Sequence, residues 1–227
     1  MIETLQIKPL LSTGIYTIPD IAMILRLPYN KVNRWINIFW NDRFGQKYRG
    51  IYSWKVDFSR AVNFYTMIEL YTFYQLSHSG IATKEIINAH DILSEKYQTS
   101  YPFANREVLQ CLRSDGGKVI FEQPDGIIYS VDANKQTYLN FIKVFFRNLD
   151  FDKDSIAIRL WPLGKEKSIV CDPKHQFGQP VITGTNITAE ALFSLFKGGE
   201  PEWFIADLYN ISESQVRDAI LFCQKAA

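Results

Sequence analysis

One spacing occurs twice in this 227-residue chain, once near each end. The stretch DIAMILRLPYNKVNRWI starts at Asp20, and FIADLYNISESQVRDAI starts at Phe204. Aligning Ile21 with Ile205 also pairs Ala22 with Ala206, Leu25 with Tyr209 and Leu27 with Ile211. Val32 then meets Val216, Trp35 meets Ala219 and Ile36 meets Ile220. In each copy the apolar positions i, i+1 and i+4 mark a first helix, and a small alanine permits close helix approach. An apolar residue plugs the corner, and a second i, i+3, i+4 face follows. The pattern predicts a helix-turn-helix at both ends.

The helix starts agree with this reading. Thr17 with Asp20 makes a capping-box-like start, with Tyr16 placed to staple onto Ile21. Ser212 with Gln215 is a capping box, with Ile211 stapling onto Val216; Leu27 can staple onto Val32 in the same way. Pro28 stands where a Ser or Asp cap is expected, which weakens that start by about 1 kcal/mol.

Charge separates the two copies. Residues 1–60 carry nine lysines and arginines against four acids, and residues 168–227 carry four against seven. Affinity for DNA is dominated by phosphate neutralisation, so the basic copy is the predicted duplex binder and the acidic copy is not. In its second helix Val32, Trp35, Ile36 and Phe39 fill one face and leave Asn30, Lys31, Asn33, Arg34 and Asn37 on the others. An ordinary solvated face mixes in acids, yet none stands between Tyr29 and Trp40. Asparagine suits adenine edges, and arginine or lysine suits guanine O6 and N7. The following NDRFGQKYRGIYSWKV interleaves Arg43, Lys47, Arg49 and Lys55 with aromatic residues and reads as a wing that lays basic groups on the DNA backbone. The predicted DNA-binding set is Thr17, Tyr29, Asn30, Lys31, Asn33, Arg34, Asn37, Arg43, Lys47 and Arg49.

In the middle of the chain, Asp57 is the expected cap of a long helix over 58–77. Its apolar residues cover more than one face, which implies burial within the fold or against a second subunit. Thr83 is the expected cap of the next helix. KVIFEQPDGIIYSV reads as a hairpin, 136–146 as a helix and SIAIRLWPL as a strand. The acidic run LDFDKD lacks calcium-loop spacing and reads as a solvated turn.

Composition narrows the function. Apolar residues at 47% support a sizeable core, and no apolar run approaches the roughly 18 residues of a membrane span. The N-terminus is a poor signal peptide, because Glu3 interrupts it and no long apolar segment follows. Cys111, Cys171 and Cys223 are far apart and odd in number, which suits a reducing cytoplasm and forms no zinc spacing. His78, His90 and His175 are scattered, and read as surface or satisfied core residues. No nucleophile–base pair, paired carboxylates or metal set stands out, so no catalytic residue, metal or cofactor is expected.

The C-terminal stretch FGQPVITGTNITAEALF raises the question of a phosphate loop. It has no lysine at the Walker position. Gly178-Gln179-Pro180 turns the chain, Val181-Ile182-Thr183 forms a short strand and Gly184-Thr185-Asn186 turns again. Thr188 caps a helix to Lys197, Gly198-Gly199 stops it and Pro201 opens the next at its first position. The result is a β-arm feeding three helices, with structural glycines.

These residues resemble the bacterial domain-of-unknown-function family 433. Its pattern is met by Ile169, Asp172, Pro173, Gly178, Pro180, Ile182, Gly184, Thr185, Ile187, Gly199, Ile205, Ala206, Tyr209, Val216, Ala219 and Ile220. Where that family usually carries arginine after Gly-Thr, this chain has Asn186. The whole chain resembles long members that place a MerR-like helix-turn-helix ahead of the domain, similar to VapB-type antitoxins. That resemblance implies a PIN-like ribonuclease toxin as partner, operator DNA and autorepression of a shared operon. Phe193, Phe196, Trp203 and Phe204 are the expected partner anchors, and core packing is the competing role for at least two of them.

The expected fold is mainly α with small β elements (α+β). Residues 1–100 form a MerR-like winged helix-turn-helix with a long helix, 101–165 an α/β middle segment, and 166–227 a β-arm with a three-helix, homeodomain-like bundle. A non-catalytic, cytoplasmic, homodimeric antitoxin is the expected function. The alternative is a stand-alone MerR-like regulator whose middle region binds a small ligand.

Overall fold

The computed structural model describes residues 13–48, 52–56, 59–78, 80–115, 118–122, 128–129, 136–137 and 145–224. The fold is mainly helical with small antiparallel sheets. Its N-terminal part runs β1 (Tyr16–Thr17), α1 (Ile18–Leu25), α2 (Tyr29–Trp35), a π-helical continuation (Ile36–Phe44) and α3 (Gly45–Tyr48). A hairpin follows, β2 (Ser53–Val56) and β3 (Ser59–Val62), and β3 lies between β1 and β2 in a three-stranded sheet. A helix-turn-helix closed by a hairpin that reaches back to β1 is a winged arrangement.

The continuation of α2 follows from its residues. Val32, Ile36, Trp40 and Phe44 are all buried and stand four apart. In an α-helix of 3.6 residues per turn, a spacing of four drifts around the axis. Widening to i+5 hydrogen bonds compensates and keeps these side chains over one core. Trp40 packs edge-on against both Phe44 and Phe73.

The long helix is displaced from its expected place. It is α4 (Phe64–His78), and 59–62 is strand. Asn63 caps it through a 2.8 Å bond from the Thr66 amide to Oδ1, in the role expected of Asp57. Phe64, Met67, Ile68, Leu70, Phe73 and Leu76 are buried in this one chain, as are Thr66, Glu69 and Thr72. The helix is thus largely enclosed within this one chain, with Tyr65, Tyr71, Tyr74 and Gln75 half-buried and His78 exposed. α5 (Thr83–Tyr97) starts one residue earlier than a Thr83 cap requires, with Ala82 as cap and no side-chain bond. His90 of α5 is a core residue: its Nε2 lies 2.7 Å from Glu69 Oε2, and its ring stacks on Phe44. Glu69 also accepts from the Phe103 amide at 2.6 Å.

The middle contains α6 (Arg106–Cys111), capped by Asn105, which sequence reading did not find. Next come β4 (Leu112–Asp115), β5 (Lys118–Glu122), β6 (Ile128–Tyr129) and β7 (Gln136–Thr137), in sheet order β6-β5-β4-β7. The predicted hairpin is present as β5–β6, with its turn outside the described residues. The helix expected over 136–146 is contradicted at its start, where β7 pairs with β4. Residues 138–144 lie outside the described residues.

β8 (Leu149–Phe151) and β9 (Ala157–Leu160) form a hairpin closed by Asp152, which accepts from the amides of Asp154 and Ile156. The LDFDKD run is thus half strand and half turn. β10 (Ile169–Val170) and β11 (Val181–Ile182) make the C-terminal arm. Three helices follow: α7 (Ala189–Lys197), α8 (Glu202–Tyr209) and α9 (Glu213–Gln224). Pro201 is the cap of α8, not its first residue. The buried apolar side chains form one cluster reaching from Tyr16 to Cys223.

Candidate nucleic-acid interface and partner surface

The N-terminal unit is built from its turn outward. Thr17 accepts from the Asp20 amide, and the Asp20 carboxylate accepts from the Thr17 amide at 2.8 Å and its hydroxyl at 2.7 Å. This box starts α1 and occupies the Thr17 side chain, which the sequence had offered to DNA. α1 ends on Arg26 in the left-handed region (φ 58°, ψ 42°), and the Leu27 amide donates to Ala22 O at 3.1 Å. Leu27 is buried in the corner, and Val32 and Trp35 anchor α2 beneath it.

The outward face of α2 brings most of the predicted residues together. Tyr29, Asn30, Lys31 and Arg34 are exposed, and Asn33 and Asn37 are half-buried. Asn37 donates to the Asn33 carbonyl at 2.9 Å and to its side-chain oxygen at 3.1 Å, which orients both amides. Lys31 and Arg34 have no ion-pair partner among the described residues; the Lys31 ammonium lies 5.7 Å from the Tyr74 ring centroid.

Arg43 and Lys47 lie elsewhere. The helical run carries them past α2 to α5, where Arg43 pairs with Asp91 at 3.1 Å. Lys47 pairs with Asp91 at 3.2 Å and with Glu95 at 3.1 Å. They belong to a helix and not to the wing. Arg49 lies outside the described residues. The wing is the β2–β3 hairpin, which carries exposed Lys55 and half-buried Arg60. Ser53 of β2 donates to Asn41 Oδ1 at 2.6 Å and fixes the hairpin against the end of the helical run. The alternation in SWKV and SRAV was the available signal for this hairpin, and the expected Asp57 cap obscured it.

The C-terminal unit repeats the same frame. Asn210 is left-handed (φ 51°, ψ 48°), and the Ile211 amide donates to Ala206 O at 3.0 Å. The Ser212–Gln215 box is present through bonds of 2.9 and 3.3 Å. Of the four expected anchors, Phe193 and Phe196 are half-buried and pack on the core, whereas Trp203 and Phe204 are exposed. Exposed Leu208, which lies outside the repeat's apolar positions, joins them. Asp218, counted as a surface acid, is buried. It accepts from the Ser168 amide at 2.9 Å, the Ser168 hydroxyl at 2.8 Å and the Lys167 ammonium at 3.0 Å. Burial alone would raise its carboxyl, but these bonds outweigh burial and hold it below the usual range.

The two units touch. Arg26 donates to the Phe222 carbonyl at the end of α9, and its guanidinium lies 5.0 Å from the centre of that ring. The Ile15 amide donates to Phe177 O at 2.8 Å. Gly178 (φ 87°) lies so close to Tyr16 that a β-carbon there would collide with the tyrosine hydroxyl. That glycine serves this contact and not a phosphate. Thr185 likewise donates into its own turn, to Ile182 O at 2.9 Å. A cleft of about 290 Å³ beside this turn is lined by Arg159, Trp161, Asp172, His175 and Thr183. Arg159 is held there by Asp172 at 2.7 Å.

Residues 169–223 match the family described as "Protein of unknown function (DUF433)". The C-terminal segment is thus similar to that family. The match starts at β10 and runs to Cys223 near the end of α9. A curated relative is "Putative antitoxin VapB45" of Mycobacterium tuberculosis (strain ATCC 25618 / H37Rv). It is 24% identical over 125 residues, which are 49% of this chain and 52% of the relative. The chain thus spans about half the length of the curated relative it matches. The crystal structure of Rv2018 from Mycobacterium tuberculosis shares the fold at a TM-score of 0.65 and 18% identity, over 95% of this chain and 100% of that one. Among the described residues, no helix is long and apolar enough to cross a membrane.

Proposed function

We propose that this chain is a non-catalytic, DNA-binding antitoxin that represses its own operon and neutralises a PIN-like ribonuclease toxin encoded beside it. The observation that carries the DNA half is the exposed, acid-free face of α2, where Lys31 and Arg34 stand without ion-pair partners among the described residues. On a duplex, α2 enters the major groove. Asn30, Asn33 and Arg34 meet base edges there, and Lys31 and the hairpin's Lys55 meet phosphates. The toxin half is supported by the likeness to a putative VapB antitoxin and by the DUF433 match. The protein acts as a homodimer, because operators of helix-turn-helix proteins commonly mirror a two-fold axis.

The test is a gel-shift series on the DNA immediately upstream of the gene, across a range of salt. The wild type should bind with affinity falling steeply as salt rises, and Lys31→Ala and Arg34→Ala should each weaken it. Binding with no salt slope and no loss in either variant would reject the reading.

A further inference from the structure

The two helix-turn-helix units differ where their frames predict likeness. Leu208 of α8 occupies the place that Ile24 holds in α1. Ile24 is 3% exposed, whereas Leu208 is 58% exposed. Phe204, at 38%, shares a face with Leu208, because residues four apart on a helix are neighbours, and Trp203, at 63%, is exposed next to Phe204. Their rings already meet edge to face, with centroids 5.9 Å apart. Large aromatic side chains held in place near the centre of an apolar patch are what protein interfaces use as anchors.

The rim of this ridge has one sign. Residues 198–216 contain Glu200, Glu202, Asp207 and Glu213, and no lysine or arginine. Arg217 pairs with Glu202 at 3.1 Å and Glu213 at 3.3 Å. Glu200 and Asp207 have no ion-pair partner among the described residues.

We infer that Trp203, Phe204 and Leu208 form the docking ridge for a protein segment that presents apolar side chains flanked by lysine or arginine. This rests on the antitoxin reading, in which that segment belongs to the toxin. The apolar ridge supplies the buried centre, and Glu200 and Asp207 supply charge complementarity at the edge. DNA is not the occupant, since the same acids would repel phosphates.

The experiment co-expresses the full chain with the toxin encoded next to it, and compares wild type with Trp203→Glu/Leu208→Glu and with Glu200→Lys/Asp207→Lys. Both side-chain pairs lie at the surface, and far-ultraviolet circular dichroism checks that the fold is kept. The wild type should retain the toxin. Each double variant should retain less than about a tenth as much, a loss of roughly 1.4 kcal/mol or more. If the wild type retains the toxin and the variants do too, the ridge is wrong and the antitoxin reading stands. If the wild type retains none, the antitoxin reading fails and the ridge loses this partner. If the variants keep the toxin but convert a wild-type dimer to monomer in sedimentation, the occupant is a second copy and the inference is overturned.

Discussion

Arg26 and Asn210 stand at the same place in two copies of one motif, and both close their first helix in the left-handed region. The corner bonds that follow differ by 0.1 Å, 3.1 Å at Leu27 and 3.0 Å at Ile211. Val32 and Val216 are both fully buried. The frames agree, and the surfaces do not. Where α2 presents Lys31 and Arg34, α9 has Gln215 and Asp218; where it presents Tyr29, α9 has Glu213. Asp218 has moreover turned inward, to hold Ser168 and Lys167. A helix-turn-helix is therefore a packing solution first. Buried positions specify its backbone, and the few outward positions of its second helix decide whether a phosphate backbone attracts it or repels it.

The contact between the units is where the comparison breaks most easily. Gly178→Ala puts a β-carbon into the Tyr16 hydroxyl and also forces a left-handed alanine. Together these should cost about 2–5 kcal/mol in urea unfolding. Gly184→Ala is the control: it shares the positive φ but has open space around it. It should cost only about 1–2 kcal/mol. Equal losses would show that Gly178 matters only for its backbone.

Asp218→Ala should destabilise by about 1–3 kcal/mol, by leaving the Ser168 amide and hydroxyl unpaired. The effect has a pH signature. The folded carboxyl is held below its unfolded value of about 3.9, so its stabilisation is full above about pH 4 and is lost as pH falls through the folded value. The gap between wild type and Asp218→Asn should accordingly narrow on acidification. A gap constant from pH 7 to pH 3 would contradict the assigned bonds.

The smallest effect separates the two left-handed caps. Asn210→Gly should stabilise by several tenths of a kcal/mol, since glycine takes this conformation without a β-carbon penalty. Arg26→Gly should not, because it also loses the bond and the ring contact to Phe222. Thermal melts that move in the same direction for both would refute the Arg26 contact.

Much of this was legible in the sequence. Both helix-turn-helix frames, their capping boxes, the β-arm and the C-terminal helices are local patterns of apolar spacing and caps, and they stand where that spacing put them. The misses are non-local. Asp57 and Asn63 are both plausible caps, and only the pairing of β3 with β1 decides for Asn63. Arg43 and Lys47 read as wing residues until Asp91 and Glu95, far along the chain, are brought beside them. The charge of the α2 face was visible from the start, since the absence of acids between Tyr29 and Trp40 needs no fold to be seen.

The central claim is that the N-terminal unit reads DNA and the C-terminal unit does not. Fluorescence anisotropy on the upstream DNA tests it with one charge reversal in each second helix, Arg34→Glu and Arg217→Glu, both at exposed positions. Arg34→Glu should weaken binding at least about tenfold, or 1.4 kcal/mol, and flatten the salt slope, while Arg217→Glu leaves the affinity within about twofold of wild type. The reverse result, with Arg34→Glu unchanged and Arg217→Glu impaired, would contradict the account.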